Sequence, residues 1–310
     1  MDTHVSNGAD YQYTLTHLFT QHNKMGGNIG QFLSETWQPS LESALAKEGW
    51  DITPYVNVFN RVPETGFSQF MDYPRYSTGY TTLWNTLGLM VDTHMLKPYS
   101  NRVSGTYALL NSVIQITEEY KEDIQNQRMM ASTRYKKGDF YPTRWRLDST
   151  KVSRLSFKVY QADTLISKLT GLPRLRYDQN RPFEKEVAYY NTFIPSDSVS
   201  IPEAYIIPLG WNYLLPYLDR NDIQYTRIDR DTSLVAEIYY IGNYRTRSQA
   251  YEGHYPHYNT KVHTSRDTVI VKEGSYWIPT DQEGVRYLLE TLEPSATDSF
   301  FNWNFFDAIL

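Results

Sequence analysis

The sequence predicts an α/β segment followed by a mainly antiparallel β domain, and three observations carry that reading. Apolar residues recur at helical spacing in the first segment, over residues 31–47 and 99–130. Apolar and polar residues alternate in the second segment at 155–160, 233–240 and 268–272, with Gly, Pro, Asn and Asp in the intervals. Between them, Lys136-Lys137-Gly138-Asp139 precedes Phe140-Tyr141-Pro142 and sets the boundary, giving segments 1–138 and 139–310.

Taken in order, the stretch 31–47 places Phe32, Leu33, Trp37, Leu41, Ala44 and Leu45 along one helical side. A further helix is expected to begin near Ser77 to Tyr80. Leu89, Met90 and Val91 form a short apolar run of strand type that ends at Asp92. The stretch 99–130 is the longest helical candidate, with Val103, Tyr107, Leu110, Val113, Ile114 and Ile116 on its apolar side. It turns strongly polar from Glu118 to Asp123. The β-rich segment is expected to hold a pair of helices. One covers 209–221, with Asp222 and Ile223 entering a strand, and the other covers 281–292, stopped by Glu293-Pro294. No fixed-period repeat and no low-complexity segment interrupts the chain. This pattern reads as an antiparallel sandwich or small barrel added to an α/β half.

Composition narrows the function classes. The 310 residues suffice for one large or two ordinary domains. Thirty basic against 35 acidic residues leave a net charge of −5, so no overall basic field attracts nucleic acid, and a nucleic-acid partner is not expected. No run of about 18 apolar residues is available for a transmembrane segment. The N-terminus lacks the charged and apolar regions of a signal peptide. With no cysteine, disulfides, thiolate metal sites and cysteine nucleophiles are excluded. The 27 tyrosines suit half-buried β surfaces and ligand clefts.

His4 is the first residue with metal-binding chemistry. The polar turn Val5-Ser6-Asn7-Gly8-Ala9-Asp10 and the aromatic Tyr11-Gln12-Tyr13 follow it, as at a strand end that opens into a cleft, where ligands bind in open α/β sheets. Three segments then act together: Asp2-Thr3-His4, Pro74-Arg75-Tyr76-Ser77-Thr78-Gly79-Tyr80, and Gly88-Leu89-Met90-Val91-Asp92-Thr93-His94-Met95-Leu96-Lys97-Pro98. This combination resembles the carboxypeptidase A-like zinc metallocarboxypeptidases, in particular a bacterial branch with an appended C-terminal domain. The later segments Ile201-Pro202-Glu203-Ala204-Tyr205-Ile206-Ile207-Pro208, Tyr251-Glu252-Gly253-His254-Tyr255-Pro256-His257 and the stretch from Leu292-Glu293-Pro294 to Asp307 are similar to that branch as well.

The resemblance implies that residues 1–138 are the C-terminal half of a mixed-sheet carboxypeptidase-like domain. It implies a peptide substrate, zinc as cofactor, and export to the periplasm or the cell exterior. His4 matches the third zinc ligand. The other two, from an H-x-x-E motif, and the arginine pair that grips the substrate carboxylate would lie upstream of Met1, so the chain is expected to be an incomplete and inactive fragment. Asp92 matches the general base, normally Glu, and Tyr80, with Tyr76 as second candidate, falls in the segment that covers substrate. Zinc held by three protein ligands acidifies a water and polarises the scissile carbonyl, and a neighbouring carboxylate shuttles the proton to the leaving amine. Asp reaches roughly 1.5 Å less far than Glu. A misplacement of about 1 Å costs on the order of a hundredfold in rate, so reduced activity is expected even in an intact enzyme.

Each of these residues also has a structural reading. A histidine near a strand end is commonly a packing residue, Asp92-Thr93 would serve as a helix N-cap, and Tyr80 as a packed aromatic. His94 reads as packed rather than as a ligand. Glu252, His254 and His257 have the residue types of a zinc cluster, but a structural role is preferred. Arg144, Trp145 and Arg146 suit either an anion or a solvated strand edge. A lapsed relative whose β domain binds peptide or glycan, or a purely structural module, remains the alternative to an enzyme. Finally, Phe300, Phe301, Trp303, Phe305 and Phe306 crowd the C-terminus and must pack, and docking against the first 138 residues is expected.

Overall fold

In the computed structural model, which describes every residue except Asn60, the chain begins with β1 (Asp2–Ser6) and β2 (Leu15–Phe19). Short helices α1 (His22–Met25) and α2 (Gly27–Phe32) lead through a wide π turn, Leu33–Trp37, into α3 (Gln38–Lys47). The helix expected over 31–47 is therefore continuous with α2, and its apolar side is buried at Leu33, Trp37, Leu41 and Leu45. After β3 (Ile52–Pro54) and β4 (Phe67–Ser68) come α4 (Ser77–Thr82) and β5 (Leu89–His94). The long helical candidate divides at Tyr120, whose backbone leaves the helical region, into α5 (Tyr99–Glu119) and α6 (Lys121–Ser132).

Four of these strands form one mixed sheet in the order β1-β5-β2-β3. β5 lies parallel to β1 and antiparallel to β2, which is parallel to β3. One face of the sheet carries Leu15, Phe19, Leu89 and Val91 into a core with the apolar side of α3 and with Ala108, Leu109 and Ile116 of α5; Val103, Tyr107, Leu110 and Ile114, expected on the inner side of that helix, are exposed instead, because the face that meets the sheet is the one that carries Gly105. Gly105 lets α5 approach closely, since a Cβ there would meet the Trp50 ring at 3.0 Å. Period two then decides the rest: if Leu89 and Val91 face the helices, Asp92 faces the other way.

The chain continues through β6 (Phe140–Leu147), β7 (Ser153–Ile166), β8 (Pro173–Tyr190) and β9 (Phe193–Ser200). β7 and β8 pair along their length as an antiparallel hairpin, and β4 adds to the base of β8. Phe157, Val159, Val187 and Tyr189 of this hairpin close a second core with Tyr11, Tyr13, Val56 and Phe67. That core explains why the chain folds as two units that cross the 138/139 boundary. The first is Met1–Asp72, Tyr76–Ala131 and Arg146–Ile194; the second is Tyr73–Arg75, Ser132–Trp145 and Pro195–Leu310.

The second unit is mostly antiparallel. β10 (Ala204–Ile207) is followed by a 3₁₀ segment, Leu209–Leu214, and α7 (Leu215–Asp219), then by β11 (Thr226–Arg227) and the two-stranded ribbon β12 (Thr232–Thr246) with β13 (His257–Val271). The helix expected over 209–221 is cut short because Pro216 suits a first turn but no interior position. Asp222 and Ile223, expected to start a strand, instead form a turn in which Asp222 has φ +52° and the Ile223 N–H returns to the Leu218 carbonyl. β14 (Tyr276–Pro279) joins β10 and β11, and α8 (Val285–Leu292) is nearly all buried. Its inward face includes Arg286 and Glu290, with Tyr141 donating to the Glu290 carboxylate at 2.8 Å.

The aromatic C-terminus packs inside this unit. Phe300 and Phe305 meet Tyr217, Phe301 meets Tyr244 and His257, and Phe306 meets Trp211. Among the described residues of the first 138, Arg75 joins these contacts, stacking 5.0 Å over the Trp303 ring and pairing with buried Asp298, so the expected docking of the aromatic C-terminus against residues 1–138 is replaced by packing within this unit. Among the described residues no helix is long and apolar enough to cross a membrane.

Candidate functional site

Parallel pairing of β1 with β5 sets His4 against Asp92 in register. The two residues proposed from sequence thus occupy neighbouring positions on adjacent strands, although 88 positions separate them along the chain. His4 is half exposed. Its Nε2 lies 2.8 Å from a carboxylate oxygen of Asp2, two residues back on the same strand face. With Nε2 so engaged, Nδ1 is the nitrogen that remains for a proton or a metal.

Asp2 is held in turn by a hydrogen bond from the Ser77 side chain, which together with His4 lowers its pKa below the usual carboxylate value. Ser77 opens α4, and α4 is fastened to the sheet at the end of β2. The Thr20 hydroxyl donates to the Thr78 carbonyl at 3.0 Å and accepts from the Gly88 N–H at 3.0 Å. Gly88 leaves room for this, since a Cβ there would overlap the hydroxyls of Thr20 and Thr81. Beneath α4 the buried carboxyl of Asp72 accepts from the Gln21 N–H, and the Lys24 ammonium donates to the Asp72 carbonyl.

Asp92 is buried, and its pKa is raised by burial first; the charge of His4 works against that rise and the charge of Asp2 adds to it. A carboxyl pushed toward neutrality beside an imidazole is a group that can hold and pass a proton. The N-cap reading of Asp92 does not survive. It sits within β5, and the next helix, α5, starts seven residues later with Pro98 at its cap.

Tyr76 is the N-cap of α4 and Tyr80 lies within that helix, and both are partly exposed. Their ring contacts are with Phe70 at 4.8 Å and Trp84 at 6.4 Å. The fold therefore brings His4 and Asp92 together and leaves the two tyrosines on the adjoining helix. Asp2 and Ser77 are site residues that the sequence motifs do not single out. The i, i+2 spacing of Asp2 and His4 was the available signal, whereas the approach of Ser77 depends on a contact 75 positions away.

His94 is fully buried. Its Nε2 meets the Ala9 carbonyl at 3.0 Å and its Nδ1 accepts from the Leu96 N–H, so it fastens the loop after β1 to the loop after β5. Burial lowers its pKa, in keeping with a neutral packing residue. In the second unit the Glu252, His254 and His257 group does not converge. Glu252 occupies a left-handed turn position, His254 lies against Trp303 and Phe305, and His257 is enclosed by Thr246, Asn304 and Asp307. Arg144 is neither an anion site nor a solvated edge, because it donates to the carbonyls of Ser295 and Thr260.

Among the described residues no group of three or more His, Asp or Glu side chains stands close enough to hold a metal ion. His4 offers one imidazole, which cannot hold zinc by itself, so the residues of this chain do not fit a closed zinc site. No family model, curated protein or solved structure matches this chain.

Proposed function

We propose that this chain carries a portion of the site of a zinc-dependent metallocarboxypeptidase, a hydrolase that removes a C-terminal residue from a peptide. The observation that supports this reading is the register of His4 against Asp92 across the parallel pair β1 and β5, with the Asp92 carboxyl buried and shifted toward neutrality. In that role His4 is one metal ligand, Asp92 moves the proton, Asp2 and Ser77 orient the imidazole, and Tyr80 and Tyr76 line the approach of substrate. Zinc, where the remaining ligands are supplied, would contribute a Lewis acid and an acidified water. Those ligands would have to come from outside these residues, since no H-x-x-E occurs in the sequence. The 310 residues alone are therefore expected to show negligible peptidase activity. Tight stoichiometric zinc on them that His4→Ala abolishes would overturn this expectation.

The activity itself is tested by steady-state hydrolysis of peptides with free C-termini, using the gene product in full. Asp92→Asn should keep the fold and the zinc content and lower turnover by roughly a hundredfold or more, while Asp92→Glu retains or raises it. Equal rates for all three proteins would remove Asp92 from the chemistry. The competing reading, a relative without catalysis that binds peptide or glycan, is favoured by the lack of a three-ligand group among the described residues. It predicts no zinc-dependent turnover from any of the three.

A further inference from the structure

Hairpin β7–β8 leaves one side of β8 open. Among the described residues β8 pairs with β7, and with β4 only at Tyr189 and Tyr190, so no strand covers its outer edge over 173–179. That edge borders a cleft of about 850 Å³ whose far side is the loop Gly8 to Asp10, Phe59 and Leu96. Arg174, Leu175, Arg176 and Tyr177 all line it, and so does Thr164 of β7 across from Leu175, so the cleft reaches from the β8 edge onto the hairpin face that carries Leu175 and Tyr177. Successive residues of a strand point to opposite faces, so consecutive residues can line one cleft only when the strand presents its edge.

The direction of the backbone groups follows from the hairpin. The Ser167 N–H donates to the Leu172 carbonyl at 2.9 Å, which makes that pair hydrogen-bonded. In antiparallel pairs the hydrogen-bonded positions alternate. Arg174 and Arg176, opposite Leu165 and Asp163, then turn their backbone groups toward β7, while Leu175 and Tyr177 turn theirs into the cleft. Pro173, the preceding outward position, has no N–H to leave unpaired.

Side chains set the charge. Asp10, the acid on the far wall, is engaged by Lys97 and accepts from Gln179 at 2.7 Å. Asp163, across from Arg176, is held by Arg181 at 2.6 Å. Arg174 and Arg176 are exposed and stand in no ion pair among the described residues. They share one face of the strand at a two-residue spacing. Phe59 and Leu96, both large apolar residues with about half their surface exposed, provide an apolar wall opposite.

We propose that this cleft binds an extended acidic peptide as a strand added to β8, its main chain bonded to Leu175 and Tyr177 and its alternate carboxylates set on Arg174 and Arg176. Strand addition supplies affinity through the main chain and specificity through alternate side chains. The same proline and arginines also suit an edge that merely repels other strands, and the experiment separates the two.

The probe is the pentapeptide acetyl-Val-Glu-Val-Glu-Val-amide. Blocked at both ends, it has no terminal carboxylate for a carboxypeptidase site, so its binding is independent of the function proposed above. Titration calorimetry on the full chain should show binding that weakens with salt, and an analogue with Lys in place of Glu should not bind. Arg174→Glu with Arg176→Glu, checked for fold by circular dichroism, should weaken the Glu peptide by about tenfold or more and favour the Lys analogue. N-methylation of the peptide amides that face β8 should abolish binding, while methylation of the intervening amides leaves it; this arm keeps the protein unaltered if the double variant does not fold. Absence of binding at about 1 mM peptide, equal affinity for the Lys analogue, or indifference to the methylation pattern would each overturn the proposal.

Discussion

Asp92 in the first unit and Glu293 in the second are both carboxyls withdrawn from water, and burial raises the pKa of both. Their surroundings differ. Glu293 accepts hydrogen bonds from the hydroxyls of Tyr205 and Tyr239, short-range partners that fix the acid and are fixed by it. Asp92 has the charges of His4 and Asp2 nearby, on a strand that the neighbouring sheet position leaves half exposed. Burial alone therefore does not mark a functional acid. What distinguishes the two is whether the rest of the structure needs the carboxyl as an acceptor, and substitutions at the two positions should separate along that line.

The largest effect is expected at Glu293. Glu293→Ala removes the acceptor of two tyrosine hydroxyls and leaves space behind α8, which should cost about 3 kcal/mol in thermal or denaturant unfolding. Glu293→Gln keeps an acceptor oxygen and should cost about 1 kcal/mol. If both variants unfold with the native protein, the tyrosine contacts do not support the fold and the comparison fails on this side.

Asp92→Asn should have the opposite sign and a smaller size. An amide is nearly isosteric with the carboxylate, and it relieves the burial of a charge on which, among the described residues, neighbouring charges act and hydrogen-bond donors do not, so stability near neutral pH should stay unchanged or rise by up to about 1 kcal/mol. A loss of about 2 kcal/mol would mean that the Asp92 carboxylate is a structural acceptor like Glu293. Loss of turnover without loss of stability is the pattern expected of a residue kept for chemistry.

How much of this was legible beforehand depended on whether the signal was local. The helix around Trp37 announces itself because one face is buried, and β5 because both its ends are marked, whereas in α5 the apolar spacing points to Val103, Tyr107, Leu110 and Ile114, which are exposed, and the buried side runs through Ala108, Leu109 and Ile116. β8, the longest strand, gave no alternation to read: exposed over most of its outer length, it mixes Arg174, Arg176, Pro182 and Glu184 where a half-buried strand would alternate. The division at Tyr120 and the early stop at Asp219 are backbone events that apolar spacing does not encode. At the site, His4 and Asp92 were read from motifs. Their pairing needed the register of β1 on β5, and Ser77 needed the path of α4, which is set by Thr20 and Gly88.

The smallest expected effect is the pH dependence, and it tests what offsets burial in each case. A carboxyl whose folded pKa lies above its unfolded value binds its proton more tightly when folded. Its contribution to stability is full below the unfolded pKa, near 3.8 for Asp92 and 4.5 for Glu293, and is lost as pH rises through the folded value. Stability of the native protein should therefore fall across that window relative to Asp92→Asn, and likewise relative to Glu293→Gln, and the differences should level off at higher pH. Salt distinguishes them. The charge of His4 that partly offsets burial at Asp92 is screened by added salt, so the Asp92 window should move to higher pH as ionic strength rises. The tyrosine hydrogen bonds of Glu293 are short-range, and the nearby charge of Glu237 raises its pKa, so salt should leave its window in place or move it slightly to lower pH. Unfolding free energies of the native protein and the two variants, measured from about pH 3 to about pH 8 at about 0.05 M and about 0.5 M salt, give both curves. An Asp92 window that does not move to higher pH with salt would show that Asp92, too, is held by short-range contacts and not by the neighbouring imidazole, and the contrast between the two acids would have to be withdrawn.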